Sequence, residues 1–324
     1  MTKTVWVLAD DRTGNVNQLL GIAHALNFPF EKIEIRYTKW IKMPNVLRGA
    51  SLIGLTNESK QNLAKTTYPD IVLSAGRRSF PVALWIKKKS KGHTKIVQLM
   101  NPGKSLIKKA DLVVLPEHDL YKGKEKNVLL TAGTPHQITS KKLKSEKGKW
   151  DIIFKDYASP RLSLIVGGAT KNKPFTQEMA QDLLSNVKRL KPKSVLVTTS
   201  RRTPKEVVAY LKENLSPKNT FFYTFGDKQE NPYFGLIACA DMIMVTGDSM
   251  SMCSECCATS VPVFIFAPDD MMSEKHKRFH QSLFKQGFAL PANSPMQSVR
   301  GNFNPAEKIV SRIQDLFLAG EHSA

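Results

Sequence analysis

The residue types able to do chemistry in this chain gather behind its apolar runs. The densest group lies in ADMIMVTGDSMSMCSECCATSVPVFIFAP, residues 240–268. Met242 to Val245 reads as a buried strand, Gly-Asp-Ser as a turn, and the stretch opened by Ser251 and carrying Glu255 as a helix, before a second apolar run after Pro262. A parallel strand that ends in small polar residues at a helix start offers free backbone N–H groups and positive dipole charge, which suits a phosphate. Ser249 and Ser251 supply hydroxyls at that turn. Glu255, one helical turn beyond Ser251, is placed to accept hydrogen bonds from ribose hydroxyls while the turn holds a diphosphate. That is the layout of the donor half of a two-domain nucleotide-sugar transferase. The competing reading is an ordinary strand-to-helix turn with Ser251 as its cap and Glu255 serving the helix dipole.

Two further loops carry arginine pairs behind a strand, Arg77-Arg78 in SAGRRS and Arg201-Arg202 in TTSRRTP. A guanidinium fork can grip a phosphate or carboxylate at two points. A surface or interdomain ion pair is the alternative for each. Gly167 and Gly168 close another strand, in IVGGATKN, where paired glycines would let a phosphate or sugar approach the backbone. At the first helix start, DDRTGNVNQ, the residues Arg12, Asn15, Asn17 and Gln18 read either as capping groups or as a polar acceptor pocket. Proton-transfer candidates are Asp10, Asp11, His118 and Asp119. His118 has the right intrinsic pKa range, and the residues alone do not choose between it and the aspartates.

Such loops need a scaffold that brings strand ends together. Short β-rich runs alternate with amphipathic stretches, the pattern of parallel α/β architecture. The first half predicts strands at Thr4–Asp10, Lys32–Tyr37, Asp70–Gly76, Thr94–Met100, Asp111–Pro116 and Asn127–Gly133, with helices at Val16–Leu26 and Pro81–Lys89. A basic stretch follows between Thr139 and Pro160, and the strand pattern restarts at Arg161–Gly168. It continues at Ser194–Ser200, Thr220–Phe225, Asp241–Gly247 and Val261–Pro268, with helices at Thr176–Leu190 and Pro204–Asn214. Two Rossmann-like domains, 1–155 and 156–324, are therefore expected, the first on the acceptor side and the second on the nucleotide side. The last helix, 305–318, is expected to fold back on the first domain. In open α/β sheets ligands lie beyond the carboxyl ends of the strands, which is where these loops fall.

Composition bounds the rest. The 324 residues are 41% apolar, enough for a large core, and no run reaches the roughly 18 apolar residues of a membrane span. Without a signal-peptide pattern, a cytoplasmic protein is expected. Lys and Arg outnumber Asp and Glu by 48 to 28, a net charge of +20 that favours anionic partners. The clusters Lys87–Lys91 and Lys104–Lys109 suggest peripheral contact with an anionic membrane surface. No helix-turn-helix, zinc-finger or RNA-recognition motif is present, so a specific nucleic-acid partner is not expected. Cys253 and Cys256 have the spacing of half a zinc site, but no second pair completes it, so buried thiols are expected and no metal. No Asp-x-Asp motif suggests a metal-bound diphosphate either, and no cofactor is implied.

The motifs DRTGNVNQ, SAGRRS, LPEHD, IVGG, TTSRRTP, NPY and VTGDSMSMCSE, in order from residue 11 to 255, resemble the bacterial branch of the Elm-type mitochondrial fission protein family. The resemblance covers nearly the whole chain. It implies a GT-B-like arrangement of two Rossmann-like domains with an interdomain cleft, similar to glycosyltransferases that build lipid A disaccharide and lipid II. It further implies a nucleoside-diphosphate sugar as ligand, a lipid or cell-envelope acceptor, and Gly167, Gly168, Ser249, Ser251 and Glu255 as the donor site. Plant members of the family help recruit a dynamin-related protein, so a protein partner and a purely recruiting, non-catalytic role are implied as alternatives. Charge-driven binding of nucleic acid or anionic surfaces is a third. A redox epimerase is disfavoured, because the first turn lacks dinucleotide-binding glycine spacing.

Overall fold

The computed structural model describes residues 3–170 and 173–321. Two compact units result, one built from residues up to Gln137 together with those from Asn304 on, the other from Ile138–Phe303.

The first unit runs β1 (Val5–Ala9), α1 (Thr13–Leu26), β2 (Phe30–Glu34), α2 (Asn45–Arg48), α3 (Asn57–Leu63), β3 (Ile71–Ala75), α4 (Gly76–Lys89), β4 (Lys95–Leu99), β5 (Leu112–Pro116) and β6 (Val128–Thr131). The six strands form one parallel sheet in the order β2-β1-β3-β4-β5-β6. Strand side chains alternate between faces, and both faces are covered. Trp6, Leu8, Val72, Ile96 and Val113 pack with Phe80, Val82 and Ile86 of α4. Val5, Val7, Ile71, Leu73, Val97 and Val114 pack with Leu19, Ile22 and Leu26 of α1. That is why these strands read as continuous apolar runs. The edge strand β2 exposes all its residues but Ile33, and it lies earlier than Lys32–Tyr37. Ile35 still donates to Ala9, after which the chain leaves the sheet and Tyr37 bridges Leu55 instead.

The second unit runs α5 (Ser140–Trp150), β7 (Arg161–Val166), α6 (Gln177–Arg189), β8 (Ser194–Thr199), α7 (Lys205–Asn214), β9 (Thr220–Tyr223), α8 (Tyr233–Ala238), β10 (Met242–Thr246), α9 (Met250–Cys256), β11 (Val263–Phe266), α10 (Glu274–Lys285) and β12 (Leu290–Pro291). Its parallel sheet has the order β12-β11-β10-β7-β8-β9, the doubly wound 3-2-1-4-5-6 arrangement. Leu162, Leu164, Val197, Met244 and Phe264 meet Leu183, Leu184 and Val187 of α6 and Val207 and Leu211 of α7 on one face. This unit begins earlier than the restart of strands suggests. α5 packs on α8, and the Trp150 indole lies so close to Gly235 that a Cβ there would collide with it. The two-residue β12 is too short to leave a periodic signal in the sequence.

The chain closes with α11 (Pro305–Glu321), which packs on α1 of the first unit through Ile309 and Ile313. No helix among the described residues is long and apolar enough to cross a membrane.

Candidate functional site

Each sheet has one place where successive connections leave in opposite directions, and there the loops part to form a crevice. In the second unit it lies between β7 and β10, since the chain moves from β7 to β8 and β9 on one side and returns to β10 on the other. The loops flanking it are Gly167-Gly168 and Gly247–Ser251.

Asp248 organises this point. Its side chain is fully buried, and its carboxylate accepts from the Gly168 amide at 2.9 Å, the Thr246 hydroxyl at 2.7 Å and Arg202 Nη2 at 2.8 Å. These partners draw its pKa down, but burial outweighs them and the net direction is upward. Arg202, its side chain 41% exposed, is thus tied to an internal carboxylate, and Arg201 beside it is exposed as well. The glycine pair has a cause the sequence did not show. A Cβ on Gly167 would run into the Asp248 carboxylate, and one on Gly168 into the Arg202 backbone. The close approach these glycines allow is made by the chain itself. Lys171 and Asn172 of the same loop lie outside the described residues.

Helix α9 follows, and its cap is Ser249, whose Oγ accepts from the Met252 amide at 3.4 Å. Ser251, expected to open the helix, is its second residue and half-buried. Glu255 therefore sits in the last turn of a seven-residue helix and is 5% exposed. Its carboxylate accepts from the Tyr233 hydroxyl at 2.5 Å. Burial lifts the Glu255 pKa to about 7, against the opposing pull of Tyr233 and Lys142. The Lys142 ammonium stands 3.6 Å from the centre of the Phe234 ring, and burial lowers its pKa. Asn231 fixes the start of α8 by accepting from the Tyr233 amide at 3.0 Å. Tyr233, Lys142 and Asp248 are the site groups that sequence reasoning missed. The NPY and GDS motifs held two of them, but nothing local to Lys142 distinguishes it from its basic neighbours. The adjacent thiols of Cys253, Cys256 and Cys257 are buried and pushed upward by desolvation.

In the first unit the corresponding point lies between β1 and β3. Arg78, in the first turn of α4, reaches Asp10 at 3.0 Å and also pairs with Asp11. Its guanidinium stacks on the Tyr37 ring, 4.6 Å from the centroid. The ion-pair reading therefore holds for one arginine of each pair, Arg78 and Arg202, while Arg77 and Arg201 face solvent. Pro81 inside α4 lacks an N–H, and the carbonyl of Arg77 that it would have served accepts from Asn45 Nδ2 at 2.6 Å. Arg12 is exposed, and its amide donates to Asp10 at 3.0 Å. Asn15 and Gln18 are buried, and Asn17 accepts from Gln137 at 3.1 Å. The proton-transfer candidates do not converge. Asp11 follows β1, whereas His118, which is buried, and Asp119, which is exposed, follow β5. Those strand ends are three strand spacings apart, roughly 14 Å.

The family model for mitochondrial fission ELM1 matches residues 13–317. The chain belongs to the mitochondrial fission ELM1 family. It is 31% identical over 317 residues to an uncharacterized protein, RP120, of Rickettsia prowazekii, covering 88% of this chain and 89% of that one. It is 27% identical over 265 residues to the mitochondrial fission protein ELM1 of Arabidopsis thaliana, covering 74% of this chain but 61% of the plant protein. Among solved structures, the UDP-GlcNAc 2-epimerase of Methanocaldococcus jannaschii aligns with a TM-score of 0.53 at 14% identity, over 96% of this chain and 99% of that one. The same enzyme in complex with UDP-GlcNAc and UDP aligns at 0.51 and 13%, again over 96% and 99%. At this identity the likeness is one of fold, the GT-B-like pair of Rossmann-like units.

Proposed function

We propose that the second unit of this ELM1-family protein binds a nucleoside-diphosphate sugar, and that the protein transfers the sugar to an acceptor without a metal. The observation that carries the reading is Glu255, a buried carboxylate oriented by Tyr233 on the helix that follows the β7/β10 switch point. A ribose supplies the paired hydroxyl donors that such a carboxylate accepts, and the fold likeness to enzymes solved with UDP-GlcNAc and UDP agrees with it. Ser249, Ser251 and the backbone after Gly168 would receive the diphosphate, with exposed Arg201 free to reach it. In the transfer the acceptor oxygen bonds to the anomeric carbon, the bond from that carbon to the diphosphate oxygen breaks, and the diphosphate leaves with the bonding pair. The acceptor proton passes to a base, for which Asp11, His118 and Asp119 remain the candidates. A second reading, in keeping with the likeness to a plant mitochondrial fission protein, is a binder of sugar nucleotides that recruits a partner without turnover.

Calorimetry with UDP, GDP, CMP and their sugars tests the binding. Above pH 7, where the Glu255 carboxylate is ionised, Glu255→Gln is expected to weaken it by about 1–3 kcal/mol, the cost of losing a charged hydrogen-bond partner. If none of these nucleotides binds the wild type, the reading falls. Assay of UDP-GlcNAc for transfer, hydrolysis and epimerisation separates an enzyme from a recruiting binder.

A lipid-linked acceptor would bring the protein to a bilayer, and the first unit carries a surface that suits one. Trp40, Val46 and Leu47 are exposed beside Lys39 and Lys42. This segment carries the membrane reading better than the cluster at Lys87, whose ammonium is engaged by Asp111 at 2.6 Å. Wild type is expected to co-sediment with acidic but not neutral vesicles and Trp40→Ala to lose this; equal recovery on both vesicles would exclude the contact.

A further inference from the structure

Among the described residues, no carboxylate answers the buried charge of Arg48 in the first unit. Arg48 is 2% exposed, and its guanidinium meets neutral oxygens. Nε donates to the Ile53 carbonyl at 3.1 Å, and Nη1 to the Arg78 carbonyl at 3.2 Å and Asn45 Oδ1 at 3.4 Å. Nη2 is buried and donates to nothing. Among the described residues the ionisable group acting on it is the Tyr37 phenol, and no carboxylate does so. A guanidinium taken out of water without a counter-ion costs several kcal/mol, so a folded chain keeps one where something else neutralises it.

The neighbouring groups ask for the same partner. Tyr37 Oη and Arg78 Nε are buried without a hydrogen-bond partner. Arg78 stacks on the Tyr37 ring and gives its carbonyl to Arg48, so the three residues form one contact cluster at the first turn of α4. Asn15 Nδ2, also unpartnered, stands 3.6 Å from where a Cβ of Gly76 would lie, at the first residue of the same helix. Asp10 and Asp11 face Arg78 too, but they occupy its Nη edge and leave Nε open. A trapped water would satisfy single hydrogen bonds but not the Arg48 charge.

We infer that Tyr37 Oη, Arg48 Nη2 and Arg78 Nε form an oxyanion site that seats a phosphate or carboxylate group. The site belongs wholly to the first unit and stands independently of the sugar-nucleotide reading. Its position beyond the ends of β1 and β3 is where an open α/β sheet takes its ligand. Helix α2 turns Arg48 and Asn45 inward to build it while Val46 and Leu47 face solvent.

The test is thermal unfolding and calorimetry of the full chain with inorganic phosphate, pyrophosphate and succinate, at constant ionic strength against chloride. Saturable stabilisation beyond chloride is expected from at least one of them, because a ligand held only by the native state raises Tm. The ranking of phosphate against succinate then identifies the group. Tyr37→Phe is expected to weaken that affinity about fivefold to tenfold. Arg48→Lys should cost about tenfold or more, since a point charge does not reproduce the planar fork. In anion-free buffer Tyr37→Phe should melt no lower than wild type, because it removes a buried hydroxyl that has no partner. This keeps the test decisive where Arg48→Lys fails to fold. No stabilisation beyond chloride by any of the three anions, or equal affinity in wild type and Tyr37→Phe, overturns the site.

Discussion

The two switch points solve the same geometric problem with one difference in their use of water. At β1/β3, Arg78 answers a buried aspartate, Asp10, and a second one, Asp11, whose side chain is 68% exposed, so one of its two pairs stands in solvent. At β7/β10, Arg202 answers one aspartate whose side chain is 0% exposed and whose remaining lone pairs take the Gly168 amide and the Thr246 hydroxyl. An exposed pair gains little because water competes for both partners. A buried carboxylate ties the loops after β7 and β8 to the end of β10, and its loss leaves the Gly168 amide and the Thr246 hydroxyl without their acceptor. The second unit therefore owns a rigid loop framework around its switch point, and the first owns a looser one with unspent donors behind it.

The sharpest way to break this contrast is to remove each aspartate. Asp248→Ala is expected to destabilise the second unit by about 1–3 kcal/mol, the cost of leaving the buried Gly168 amide and Thr246 hydroxyl without their acceptor. Asp11→Ala should cost at most about 1 kcal/mol, in keeping with an exposed pair. Urea unfolding followed by probes in each unit measures both, and comparable losses would refute the comparison.

Next in size is the pH response of the buried glutamate. The folded protein holds the Glu255 proton up to about pH 7, whereas an ordinary glutamate releases it near 4.5. Between those values the native state binds more protons than the unfolded chain, so stability falls as pH rises through this window. At pH 8 the ionised carboxylate costs on the order of 3 kcal/mol, from the pKa difference. Glu255→Gln should accordingly raise Tm at pH 8 and leave it unchanged near pH 4. A variant less stable than wild type at pH 8 would mean that Lys142 and Tyr233 over-compensate burial.

The smallest expected effect compares glycines. Gly168→Ala meets the Arg202 backbone, which cannot swing aside, and should cost about 1–3 kcal/mol as overpacking does. Gly14→Ala, in the first turn of α1, meets nothing within 4 Å and should be neutral or slightly stabilising. Equal Tm values for the two would show that the loop after β7 yields more readily than its contacts imply.

The sequence by itself determined the two-sheet α/β architecture, because buried parallel strands must be apolar on both faces and their runs stand out between polar helices. The buried strands were legible for that reason; the exposed edge strand β2 was placed late, at Lys32–Tyr37, and β12 was missed. The family was legible too, since its motifs follow the strand ends. Local spacing also located the strand ends that lead to Glu255, the glycine pair and both arginine pairs, although Glu255 lies on α9 and Arg77-Arg78 open α4. What spacing could not convey is which loop meets which. Arg202 and Asp248 are 46 residues apart, Tyr233 and Glu255 are 22 apart, and Arg48 joins Arg78 across 30. Only the strand order decides these meetings, and only burial decides their chemistry. The same carboxylate or guanidinium that would be an ordinary surface charge in water becomes, once desolvated, a proton held to neutral pH at Glu255, a loop fastener at Asp248 and an unanswered cation at Arg48.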